Sequence, residues 1–105
     1  MELEIGNWYK KSNFRITKAE KQWSEITVGG ELFTFFPVES KYKNIIEKDG
    51  FVYEGRGQYA LIPDGKQSEL RRNVFYKKVD GAEYEYLGKG KYERRYDEKH
   101  NKIFW

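Results

Sequence analysis

The most apolar run in the sequence, Leu32-Phe33-Thr34-Phe35-Phe36, is only five residues long and is stopped by Pro37. It reads as a central strand, because proline cannot continue a hydrogen-bonded ladder. The other apolar runs are equally short. Phe51-Val52-Tyr53 and Tyr59-Ala60-Leu61-Ile62 flank a glycine-rich segment, and Asn73-Val74-Phe75-Tyr76 leads toward Asp80-Gly81, the strongest hairpin signal in the chain. Beyond it Tyr84 and Tyr86 share one face, opposite Glu83 and Glu85. Leu3 and Ile5 alternate with acids as a short strand ending at Gly6, and Gly29-Gly30 is a break. A last hairpin is expected around Asp97-Glu98-Lys99-His100. Helical turns are expected at Lys18–Trp23, at Ser40–Lys48 with Tyr42, Ile45 and Ile46 inward, and at Gln67–Arg72. The resulting expectation is a mainly β (α+β) fold: a small, strongly bent antiparallel sheet or barrel with one or two short helices.

At 105 residues the chain is expected to form a single domain, 1–105. Only 38% of it is hydrophobic, but 18% is aromatic, and a few large rings suffice for a core. The same rings argue against disorder. Cysteine is absent, which removes disulfides and thiolate chemistry. The acidic start Met1-Glu2-Leu3-Glu4-Ile5 does not read as a signal peptide, and no apolar stretch approaches a membrane span. A cytoplasmic protein with no membrane partner is the expectation.

The pattern aromatic-x-Gly-cation-Gly-polar-aromatic occurs twice, as Tyr53-Glu54-Gly55-Arg56-Gly57-Gln58-Tyr59 and as Tyr86-Leu87-Gly88-Lys89-Gly90-Lys91-Tyr92. Paired glycines permit a tight turn and close approach by a partner, with the cation at the tip between rings. Such a loop suits an anionic, planar partner, and nucleic acid is the obvious one. The structural alternative is a bent or bulged strand with an aromatic covering its glycine. The net charge of +3 is modest, but cations gather at Lys66–Lys78, before the second copy, and at Lys89–Arg95, from its tip onward. Arg71, Arg72, Lys89 and Lys91 are therefore candidates for phosphate attraction. Arg56 is the candidate for a phosphate or for the gap left by an extruded base. Tyr53 and Tyr59 would stack, and Gln58 or Asn73 would present an amide to a base edge. A turn or capping role is the alternative for Asn73. Of Trp8, Trp23 and Trp105, Trp8 is the least core-like and, with Tyr86, is a candidate for an aromatic pocket.

From Asp49 onward, Tyr53-Glu54-Gly55-Arg56-Gly57-Gln58, Asn73 and the closing Tyr86-Leu87-Gly88 resemble the SRA-like domains fused to McrA-type HNH restriction endonucleases. The resemblance implies a PUA-like β-barrel that reads modified bases in DNA, with the base flipped into an aromatic and polar pocket. The chain departs from that pattern at Tyr59-Ala60, where Gly-Asp is expected, and in the short interval between Asn73 and Tyr86. No HNH half accompanies it, so a fused nuclease or other protein partner would lie outside this chain.

Catalysis is not expected. Pro63-Asp64 with Asp97-Glu98-Lys99 resembles the metal-nuclease arrangement of two carboxylates and a lysine, but both parts fall in turns. The acid-x-Lys triplet also recurs at Glu39-Ser40-Lys41 and Asp64-Gly65-Lys66. A single histidine, His100, gives little basis for a metal site, and no cofactor is expected. The competing function is a small protein-interaction module, such as a phage or mobile-element factor that binds a host protein. MORN repeats, which share Tyr and Gly positions, are rejected because only two widely spaced copies occur.

Overall fold

The computed structural model describes residues 2–14, 25–36, 44–54, 71–77, 81–93 and 96–105. Among these the fold is mainly β. The strands are β1 (Trp8–Lys10), β2 (Glu25–Val28), β3 (Glu31–Phe36), β4 (Ile45–Glu47), β5 (Gly50–Glu54), β6 (Arg71–Tyr76), β7 (Glu83–Lys91) and β8 (His100–Phe104). A single 3₁₀ turn, Lys11–Asn13, is the helical element among the described residues. The chain divides into two compact units, Met1–Val38 with Arg72–Lys89 and Glu39–Arg71 with Gly90–Trp105. Strand β7 therefore supplies residues to both.

In the first unit β2 and β3 form an antiparallel hairpin in which Val28 pairs with Glu31 across Gly29-Gly30. Both glycines have positive φ, 57° and 81°, as a tight two-residue hairpin turn demands. Strand β3 then pairs with β6 in parallel, Phe33 beside Asn73 and Phe35 beside Phe75. The sheet is thus mixed, where an antiparallel one was expected. A hairpin turn can impose antiparallel pairing only on consecutive strands, and β4 and β5 intervene here. Strand β7 is the next neighbour of β6, on the far side of Asp80-Gly81, and also pairs with β1.

One face of this ladder holds an aromatic core of Phe14, Phe33, Phe35, Phe75, Tyr84 and Tyr86 with Ile26. Phe35 and Phe75 stack at 4.7 Å, and Phe14 meets Phe33 edge-on at 5.0 Å. The 3₁₀ turn aims Phe14 inward: Asn13 Oδ1 accepts from the Lys10 amide at 2.7 Å, and the Phe14 amide donates to Lys11 O. The expected strand at Leu3–Ile5 does not form. Pairing begins later, at Trp8, and Ile5 is exposed.

In the second unit β5 lies between β4 and β8. Phe51, Val52 and Tyr53 are all buried, so this strand is covered on both faces. The helix expected over Ser40–Lys48 is replaced, over its described part, by β4. Ile45 and Ile46 pair with Val52 and Phe51 and are exposed rather than inward. Adjacent β-branched residues favour the extended form, and the two-residue Lys48-Asp49 turn closes the hairpin. Likewise Arg71 and Arg72, expected in a helical turn, open strand β6.

Candidate functional site

The second glycine motif is not a loop. Residues 86–91 lie within β7, and each glycine has a local reason. Gly88 takes φ 136°, a bend that side-chain-bearing residues rarely adopt. At Gly90 an added Cβ would stand 2.5 Å from Phe104 O and 2.7 Å from Ile103 Cγ2, where β7 meets β8. The bent-strand alternative applies to this copy. Of the first copy only Tyr53 and Glu54 are described; Gly55, Arg56, Gly57, Gln58 and Tyr59 lie outside the described residues, as does Trp23.

Tyr53 was expected to stack on a base. It is instead 2% exposed, and its hydroxyl meets the Tyr92 hydroxyl and accepts from Asn101 Nδ2 within the second unit. Alternation in β5 turns it inward with Phe51. Arg72 was expected to attract phosphate. It is buried, and its Nε donates to Glu25 Oε2 at 3.1 Å, an oxygen that also accepts from Thr34 Oγ1. Its Nε is thereby committed to Glu25 on β2. Arg71 is exposed, Lys91 is half-buried beside Phe104, and Trp8 stands exposed on β1 opposite Glu85.

Three sequence candidates do come together. The Tyr86 hydroxyl donates to Asn73 Oδ1 at 2.8 Å, and Asn73 Nδ2 donates to Leu32 O at 3.4 Å. Close to Asn73, the Glu31 carboxylate accepts from Lys89 Nζ at 2.6 Å. Buried Tyr86 and Asn73 thus form a polar row beside the exposed Glu31–Lys89 pair. Neither Asn73 nor Tyr86 is open to a partner, so the direct base contact and the pocket wall foreseen for them are not presented at the surface. Lys89, chiefly through its hydrogen bond, holds the Glu31 carboxyl below the usual carboxylate range, with Asn73 adding to it. Burial pushes the Tyr86 hydroxyl up, and the nearby Glu31 charge adds to that. The row thus presents a fixed carboxylate acceptor beside an ammonium donor.

Glu31 escaped the sequence reading. It follows the Gly29-Gly30 turn with no motif around it, and only the parallel register of β3 on β6 brings it near Asn73. Lys102 was missed as well. It is buried in the second unit, 2.7 Å from Asp49 Oδ1 and 3.0 Å from Glu47 Oε1, with the Phe104 ring 4.8 Å away. Its hydrogen bond to Asp49 is the largest influence raising its pKa. Asp97, one carboxylate of the metal-nuclease pattern, accepts from the Lys99 and His100 amides and pairs with His100 Nδ1 at 2.8 Å. Its role there is to close the turn. Among the described residues no three His, Asp or Glu side chains gather to hold a metal, and no helix is long and apolar enough to cross a membrane. The chain matches no family model, no curated protein and no solved structure.

Proposed function

We propose that this chain is a non-catalytic nucleic-acid-binding domain that reads a modified base in DNA. The support is the polar row of Tyr86, Asn73, Glu31 and Lys89. Two elements of the motif resemblance, the Asn and the later Tyr-x-Gly, meet in a direct hydrogen bond, and the row ends in an accessible acceptor–donor pair. A carboxylate accepts from the exocyclic amine of cytosine or adenine, and a lysine donates to purine N7 or O6. Lys89 would hold Glu31 in one orientation, which makes hydrogen-bond readout selective.

The test is competition among matched duplexes, unmodified, cytosine-methylated, hydroxymethylated and adenine-methylated, against the wild type and Glu31→Gln. The proposal predicts preference for one modification, reduced in Glu31→Gln with folding intact. Equal affinity for every duplex in both proteins would remove base reading. The protein-interaction alternative draws on Ile45 and Ile46, which are exposed together on β4. Salt-insensitive binding to a protein, with none to nucleic acid, would favour it.

A further inference from the structure

We propose that Lys11 and Lys77 form a second contact on the first unit, a clamp for one phosphodiester group; this rests on the nucleic-acid reading above. Lys77 Nζ stands 4.5 Å from the centre of the Tyr84 ring, and Lys11 Nζ stands 5.8 Å from the same centre and 5.1 Å from that of Phe35. The two cations are far apart in sequence and reach this ring from different elements. Lys11 begins the 3₁₀ turn after β1. Lys77 extends β6, its amide donating to Phe36 O at 2.9 Å, and alternation puts its side chain on the face of Phe75 and Tyr84.

Two ammonium groups held on one ring repel each other. Lys11 lies below the ordinary lysine range, first through burial and then through the positive charge of Lys77. Along β7, Glu83 and Glu85 alternate onto the face opposite Tyr84, in backbone register with Lys10 and Trp8. An anion shared by Lys11 and Lys77 relieves the repulsion, and partial desolvation strengthens its attraction. Tyr84 and Tyr86 lie two residues apart on that face, so the clamp and the Glu31–Lys89 end share one strand as their support.

The test is the salt dependence of duplex binding by the full chain, comparing wild type with Lys11→Gln, Lys77→Gln and the double variant. The double variant should make the slope of log K against log salt shallower by about 0.9, the value for one phosphate, each single glutamine should lose part of that, and all duplexes should weaken alike, whatever their modification. Lys11→Arg and Lys77→Arg should keep the wild-type slope. Wild-type binding with an unchanged slope in the double variant would overturn the clamp and leave the reading intact. Absence of any wild-type binding would overturn both. If the glutamine variants unfold, ¹³C-methylated lysines of the wild type give the answer. Movement of the Lys11 and Lys77 signals on adding duplex supports the clamp, and unmoved signals refute it.

Discussion

Gly90→Ala adds one methyl where β7 meets β8, and its effect separates the two roles open to the second glycine motif. The new Cβ would stand 2.5 Å from Phe104 O, 2.7 Å from Ile103 Cγ2 and 2.9 Å from Phe104 C. Two of those three atoms are backbone, so rotamer changes cannot clear the space. Ordinary contact begins near 3.4 Å, and the strands must part by several tenths of an ångström or more to restore it. Gly90 has no positive φ, so the cost is steric alone. Overpacking of this kind costs about 1–3 kcal/mol. For a domain of this size that lowers Tm by roughly 4 °C or more per kcal/mol. Urea unfolding at fixed slope, with a thermal melt beside it, measures the loss. Gly50→Ala should behave likewise, because its Cβ would meet Ile103 O and Lys102 Cε. A Gly90→Ala protein as stable as wild type, but with impaired ligand binding, would show that the glycine serves a partner and refute the packing argument.

Phe75→Ala removes a fully buried ring at the centre of the first unit's core and should cost about 3–5 kcal/mol in urea unfolding. Tyr53→Phe leaves Tyr92 and Asn101 without a shared hydroxyl and should cost about 1–3 kcal/mol, with nucleic-acid binding unchanged because the ring is buried. Lys102 has a pKa raised above its unfolded value, so its stabilising contribution is complete below the ordinary lysine pKa and is lost as pH rises through the raised one. Stability measured from neutral to strongly alkaline pH should therefore fall more in the wild type than in Lys102→Met. Glu31 has the opposite sign: its depressed pKa stabilises above the ordinary carboxylate range, and the gain is lost as pH falls through the lowered value. For so exposed a pair the gain is no more than about 0.2–1 kcal/mol, seen as a smaller acid-induced loss in Lys89→Met.

The strands were legible where short apolar runs met turn residues. Phe33–Phe36, Phe51–Tyr53 and Val74–Tyr76 alternate or run apolar as strands do, and Gly29-Gly30 and Asp97–His100 carry turn chemistry. Ile45-Ile46 misled because two isoleucines suit an inward helical face as well as a strand, and only pairing with β5 decides between them. The parallel register of β3 on β6 could not be read, since pairing between distant strands leaves no local signal. The same limit governed the site. Residue type singled out Asn73, Tyr86 and Lys89, but burial depends on which face each strand turns inward. That turned Tyr53 and Arg72 from contact residues into core ones and brought in Glu31 and Lys11, which no motif marked, and Lys77, which stood only within the basic stretch Lys66–Lys78.

An NMR titration of the full chain with a short modified duplex tests the central claim most directly. The account predicts salt-sensitive shifts concentrated at Glu31, Asn73, Tyr86 and Lys89, with Lys11 and Lys77 moving alongside them. A spectrum unmoved at low salt, or shifts confined to other residues such as Ile45 and Ile46, would contradict it.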